Sequence, residues 1–132
     1  MGRCPFVQGK VTRIELPGGE WIEVKERLNA GERRDMFALM RRERPNGLTE
    51  FDSTLVLRAK FQAYILGWSF SMIDGADAPI TPAAFDALDE ETFDEIRDAL
   101  AAHEAAIARE VAAKKNSRVG GTKSDPISPS AA

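Results

Sequence analysis

Histidine and cysteine often hold metals or act as nucleophiles, and this chain has one of each, His103 and Cys4. A metal or catalytic site at His103 needs further ligands or a partner base close by. On a helix, its neighbours four residues away are Ala99 and Ile107, and neither can coordinate a metal or exchange a proton. We therefore interpret His103 as a packing residue, and a single cysteine excludes an intrachain disulfide.

Three aspartates, Asp74, Asp77 and Asp86, are the candidate ligands for a divalent cation. Their spacing lacks the alternating oxygen ligands of a calcium loop and its distal glutamate, which favours a solvated turn. The pair Gly18-Gly19 lacks the strand–loop–helix setting of a phosphate loop, and no nucleophile motif is present. The sequence therefore predicts no catalytic, cofactor-binding or metal-binding residues and a protein that is not an enzyme.

Basic side chains concentrate between residues 33 and 44. Arg34 and Arg41 are seven residues apart and would share one face of a helix, where they could contact an acidic partner. A phosphate-binding surface is the alternative, but acidic residues are interspersed and no base-reading motif accompanies the cluster. Binding to nucleic acid is therefore disfavoured. The cluster comprises Arg33, Arg34, Arg41, Arg42 and Arg44.

Two apolar groups remain as candidates for partner binding. Trp68, Phe70 and Met72 either complete the core or form an apolar patch, since aromatic residues and methionine are enriched at interfaces. The second group follows spacings of three and four residues along the last predicted helix and forms a narrow seam. This seam consists of Ile96, Leu100, His103 and Ile107.

Composition and charge bound the class of protein. With 132 residues, 43% hydrophobic and 30% charged, the chain resembles a soluble single domain. Its net charge of −3 is unevenly distributed, because residues 1–60 have 12 basic and 9 acidic side chains whereas residues 61–113 have 2 basic and 11 acidic ones. This asymmetry favours oriented association with a partner or another copy. The apolar stretch 55–70 contains Arg58, Lys60 and Gln62, so it predicts no membrane span, and no signal peptide is expected.

The pattern predicts an α+β fold that is mainly α. Alternating residues around Pro17-Gly18-Gly19 indicate a β-hairpin over 11–25. A bundle of three to four helices should follow it, with starts indicated by Asn29, Thr81 and Asp89. The second helix is apolar nearly all round, which predicts a central, buried element. We predict a flexible segment 1–9, one domain over 10–115, a disordered tail over 116–132 and helices at about 30–44, 50–68, 82–88 and 90–114.

The segment from Trp68 to Leu88 combines an aromatic end, the turn Asp74-Gly75, and the helix start Thr81-Pro82. It resembles a segment of the tail assembly chaperones of long-tailed, siphovirus-type bacteriophages and prophages. The pieces 14–25 and 27–37 are similar to the opening hairpin and the start of the first helix of that family. The resemblance covers about residues 10–113.

This resemblance implies a non-catalytic protein that binds the tape measure protein and keeps it soluble during tail tube assembly. It also implies self-association, host cytoplasmic localisation and absence from the mature virion, and the tail tube protein is a further candidate partner. Many members have a longer form made by frameshifting, and Lys114-Lys115 could mark such a site. Two alternatives stay open: a structural tail or head–tail joining component, and a small nucleic-acid-binding regulatory or adaptor protein.

Overall fold

The computed structural model of the chain describes residues 4–119, with side chains as far as Asn116. With 50% helix and 19% strand, the fold is mixed, and the prediction of α+β with helix in excess is confirmed. The chain divides into two compact units, Met1–Ala99 and Leu100–Ala132, and the single domain over 10–115 stays a prediction. All of the strands found in residues 4–119 lie in the first unit.

The first element is the predicted hairpin. Strand β1 (Val11–Glu15) pairs antiparallel with β2 (Trp21–Lys25), so that Ile14 lies opposite Ile22. The connection needs two left-handed residues, and Gly18 and Gly19 supply them with φ of 82° and 86°. Ile22 and Val24 are completely buried, so the face of the sheet that carries them packs against the core. Trp21 lies on the other face, where the guanidinium of Arg13 lies 3.8 Å from its ring centroid.

A third strand, which the sequence did not predict, completes this sheet. Strand β5 (Ile65–Trp68) pairs antiparallel with β2 and gives the order β1-β2-β5. The register shifts at Glu23/Val24, so Leu66 is an extra residue and is exposed. The third strand gives the hairpin the support that an isolated pair of strands lacks in water.

The helix predicted over 50–68 is therefore wrong at both ends. Residues 49–51 form a strand, Asp52 caps a short 3-10 turn, and helix α2 covers only Val56–Tyr64. The apolar residues predict a single helix that is apolar all round because the run joins a helix to a strand, and the two periodicities overlap in the sequence. Gly67 is a poor helix former, and at its strand position a Cβ atom would lie 3.1 Å from Glu23 Oε1.

The helix predicted over 30–44 is also too long. Helix α1 (Ala30–Leu39) ends at the cap residue Met40, and β3 (Arg41–Glu43) then pairs with β4 (Thr49–Phe51). The prediction of a helix over 30–44 overlooks Asn46-Gly47, because Asn-Gly between two strands is a strong hairpin signal. Gly47 adopts φ of 83° there. Neither short strand buries a residue.

Helix α1 begins at the predicted cap, Asn29, and its first turn forms a capping box. Asn29 Oδ1 accepts a hydrogen bond from the Glu32 amide at 2.8 Å, and Glu32 Oε1 accepts one from the Asn29 amide at 3.0 Å. The Glu32 carboxylate also forms an ion pair with Lys25 of β2. This glutamate therefore joins the helix start to the sheet.

Replacing Glu32 with glutamine should reduce the loss of stability in acid. The hydrogen bond from Lys25, and then the one from the Asn29 amide, lower the pKa of Glu32. Because the folded carboxyl has the lower pKa, its contribution is complete above the unfolded value of about 4.3 and is lost as pH falls through the folded value. Glu32→Gln can keep the bond to Asn29 but has no charge to lose.

Urea unfolding midpoints measured from neutral pH down to about pH 3 would test this expectation. Glu26→Gln is the matched control, since Glu26 is exposed and none of the ion pairs found in the described residues includes it. Identical acid dependence in wild type and Glu32→Gln would contradict the prediction.

The last two helices begin at their predicted caps. Thr81 Oγ1 accepts a hydrogen bond from the Ala84 amide at the start of α3 (Pro82–Asp86), and Asp89 Oδ1 accepts one from Thr92 at the start of α4. Helix α4 (Glu90–Val119) continues into the segment that we predicted as tail, because no helix breaker precedes Gly120. The remainder of that tail, 120–132, lies outside the described residues. Among residues 4–119, no helix is both long and apolar enough to cross a membrane.

An aromatic cluster forms the centre of the core in the first unit. Phe61 of α2 packs on Phe85 of α3 with ring centroids 3.9 Å apart, and on Trp68 of β5 at 5.5 Å. Phe93 of α4 contacts Phe85 at 5.0 Å. The predicted bundle is therefore correct only in part, since helices α2 and α3 pack with a strand of the sheet. The other buried residues of this unit are Leu16, Ile22, Val24, Met36, Met40, Ala59, Tyr64, Ile65 and Ile96.

Candidate functional site

Trp68, the first of the predicted partner-binding residues, has a structural role. It is only 9% exposed, at the end of β5, and its indole ring lies between those of Phe61 and Phe70. Its Nε1–H donates a hydrogen bond of 2.9 Å to the carbonyl of Ala78. Trp68 therefore closes the base of the loop 70–78, and a partner would not reach its ring in this structure.

The loop 70–78 is an ordered β-turn structure with an apolar tip. The amide of Ala78 donates to the carbonyl of Phe70 at 3.1 Å, and that of Met72 donates to Ala76 at 2.7 Å. Gly75 closes the turn with φ of 89°. Met72 is 52% exposed and Phe70 is half-buried, so of the three predicted residues only Met72 is clearly accessible.

Ile73 is a feature that the sequence reasoning missed. It is fully exposed at the centre of the turn 72–75, next to Asp74. A hydrogen bond from the Ala76 amide to Asp74 Oδ1 further fixes the turn. Its position immediately before Asp-Gly could have identified it, because the central residues of such turns point away from the strands.

The predicted seam on α4 is not a continuous exposed strip. Ile96 and Leu100 are buried, whereas His103 and Ile107 are half-buried. Ile96 and Leu100 are thus excluded as residues that a partner would contact directly in this structure. Their spacing marked buried positions, which is the usual meaning of an apolar stripe on a helix.

The arginine cluster is divided between two elements. Arg34 lies on α1 and Arg41 on β3, so the prediction that they share one helix face is wrong. Arg42 pairs with Asp52 and Arg44 with Glu50, both at 2.7 Å. Two of the five positive charges are therefore matched within the hairpin β3–β4.

Asp52 is held as a carboxylate in this hairpin. Hydrogen bonds from the Thr54 side chain and amide lower its pKa, and the nearby charges of Arg42 and Arg44 lower it further. Arg42 is consequently a weaker candidate for phosphate binding than the sequence suggests.

An open apolar groove lies between α1 and α2 and was not predicted. Its volume is about 120 Å³, and its apolar lining consists of Leu39 at the end of α1 together with Leu55 and Ala59. Arg58 and Gln62 supply its polar rim, and Arg58 also pairs with Asp86 at 3.4 Å. Leu39 is 47% exposed, so the groove has an accessible apolar wall.

The side chains that line the groove can make contacts with another molecule, but none of them is a usual nucleophile or general base. Its two leucines and alanine offer apolar contact, and the guanidinium of Arg58 offers charged hydrogen bonds to a carboxylate. Elsewhere in residues 4–119, no group of three or more His, Cys, Asp or Glu side chains could hold a metal ion.

The fold is that of a small protein of mixed helix and strand, and its groove has an exposed apolar wall. Comparisons of the chain with models of protein families, with curated proteins and with solved structures find no match.

Proposed function

We propose that this chain is a non-catalytic tail assembly chaperone of a siphovirus-type bacteriophage or prophage. In this role it binds the tape measure protein in the host cytoplasm, keeps it soluble while the tail tube polymerises, and is absent from the finished virion. The likeness of the segments 14–25, 27–37 and 68–88 to that family supports the proposal.

The observation that carries the proposal is the groove lined by Leu39, Leu55 and Ala59. A long client that aggregates through its apolar side chains needs many weak contacts of this kind, each covering one side chain at a time. Arg58 at the rim favours a client segment in which an acidic residue neighbours the apolar one. The groove thus replaces the Trp68–Met72 patch as the proposed client site.

Co-expression of the full chain with the tape measure protein of the same phage or prophage tests the proposal. We expect the client to be insoluble alone and to co-purify with this chain when both are present. A chain that forms no complex and is found in assembled tails would overturn the proposal. It would favour the structural alternative, which the unpaired outer edge of β1 within the described sheet also favours.

Leu39→Glu should reduce recovery of the client about tenfold or more. Leaving a buried leucine contact unmade costs about 1.5–3 kcal/mol, and each 1.4 kcal/mol is about a factor of ten in affinity. Leu48→Glu is the matched control, because Leu48 is 66% exposed and does not line the groove. The measurement is the ratio of client to chain after co-purification. Equal losses in both variants would assign the effect to added charge and not to the groove.

A longer, frameshifted product stays a prediction, and the codons of Lys114 and Lys115 would test it. Helix α4 continues past this point to Val119, so the proposed slippage site lies inside a helix and not at the end of the fold. The arginine cluster contributes to the proposal only as a surface for acidic partners, through Arg34 and Arg41.

A further inference from the structure

The tip of the loop 70–78 projects one isolated aliphatic side chain. Ile73 is fully exposed, and the backbone that carries it is fixed by the hydrogen bonds of Met72, Gly75 and Ala78. A rigid turn loses little conformational entropy when its side chain is buried by a partner. Ile73 therefore has the properties of a knob that is ordered before it binds.

The groove between α1 and α2 matches this knob in size. The groove has a volume of about 120 Å³, and an apolar cavity of about 150 Å³ holds one benzene molecule, so one branched aliphatic side chain matches the groove in size. Its walls are Leu39, Leu55 and Ala59. Burying Ile73 there would cover two accessible apolar surfaces at once.

The charges next to the knob and the groove are also complementary. Asp74 follows Ile73 and uses Oδ1 to accept the Ala76 amide, while Arg58 at the groove rim is half-exposed. Although Arg58 already pairs with Asp86, a guanidinium has five N–H donors and can bind a second carboxylate. An Ile-Asp tip thus fits a groove with an apolar floor and an arginine at its edge.

We propose that Ile73 of one copy inserts into the groove of a second copy, with Asp74 beside Arg58 of that copy. The contact joins different surfaces of the two chains, so it is heterologous and leaves a knob and a groove unfilled at the ends. Larger assemblies therefore form as concentration rises. The contact does not require the client, but it uses the same groove, so the client and a second copy would compete.

Sedimentation velocity of the full chain over a wide concentration range tests the contact. Wild type should form a series of oligomers, and Ile73→Ser and Leu39→Glu should each weaken association by about thirtyfold or more, as expected for a central interface residue. Circular dichroism verifies that both variants are folded. Leu48→Glu, which alters neither the knob nor the groove, should associate like wild type.

Mixing the two defective variants gives the sharpest outcome. Ile73→Ser retains an intact groove and Leu39→Glu retains an intact knob, so an equal mixture should form a heterodimer and nothing larger. Asp74→Asn, which can keep the bond to the Ala76 amide, should associate several-fold more weakly and with less dependence on salt.

Three results would overturn the proposal: a wild-type chain that is monomeric throughout, self-association that survives Ile73→Ser, or a mixture that stays monomeric. The client experiment is separate, because it measures co-purification with the tape measure protein. Failure of that experiment with normal self-association would overturn only the proposed function, and the reverse result would overturn only the contact between copies.

Discussion

Phe61→Ala is expected to lower the free energy of unfolding by about 3–5 kcal/mol, the usual effect of truncating a buried phenylalanine. The ring is almost completely buried and lies 3.9 Å from Phe85 and 5.5 Å from Trp68 between centroids. Its loss would leave a cavity where α2, α3 and β5 meet. Since domains of this size have about 5–15 kcal/mol of stability, the variant should lose a large part of that stability. Urea unfolding followed by far-UV circular dichroism measures the change.

The matched control for this prediction is Phe51→Ala. Phe51 lies on β4 and is 63% exposed, so its truncation removes little buried area and should change stability by no more than about 0.5 kcal/mol. Similar losses in the two variants would mean that the aromatic cluster is not the centre of the core. A lower urea dependence in Phe61→Ala would instead indicate a loosened native state.

The parts of the fold that the sequence predicted correctly are those with local causes. The Pro-Gly-Gly turn predicts the first hairpin correctly, because its two glycines adopt the left-handed backbone that the turn requires. The caps at Asn29, Thr81 and Asp89 each satisfy amides within three residues, so they can be recognised without knowledge of the tertiary fold. Helix starts are therefore better predicted than helix ends in this chain.

The errors arose where tertiary pairing decides the structure. Residues 41–43 have helix-compatible side chains, but their pairing with 49–51 adds the ion pair of Arg44 with Glu50. Residues 65–68 have apolar side chains that suit either a helix or a strand, and only the exposed edge of β2 selects the strand. Neither partner strand can be identified from the local segment alone.

The candidate site shows the same limit. In the sequence, Leu39 precedes the hairpin β3–β4 and Leu55 follows it. Only the packing of α1 on α2 brings the two leucines together. No spacing in the sequence relates them. The sequence predicts Trp68, Phe70 and Met72 as candidate partner-binding residues, but it could not show that Trp68 is buried while Ile73, five residues on, is fully exposed.

Trp68→Ala is the second prediction with a large expected effect, again about 3–5 kcal/mol of unfolding free energy. The alanine variant removes both the ring contacts with Phe61 and Phe70 and the hydrogen bond to Ala78. Trp68→Phe separates these contributions, because it keeps an aromatic ring but lacks the N–H donor. Leaving the Ala78 carbonyl without that donor should cost about 1–3 kcal/mol.

Hydrogen exchange shows whether the loop 70–78 is stabilised by Trp68 or by the hydrogen bonds of its own turn. In Trp68→Phe we expect faster exchange of the Met72 and Ala78 amides, which bond within the loop, and little change at Ile22 in the sheet. Unchanged exchange at Met72 and Ala78 would show that the turn is stable by itself. Because Trp68 is buried, weaker self-association of a Trp68→Phe variant that is still folded would be explained by a changed position of Ile73. The variant therefore tests whether the order of the loop, and not only its apolar tip, contributes to binding.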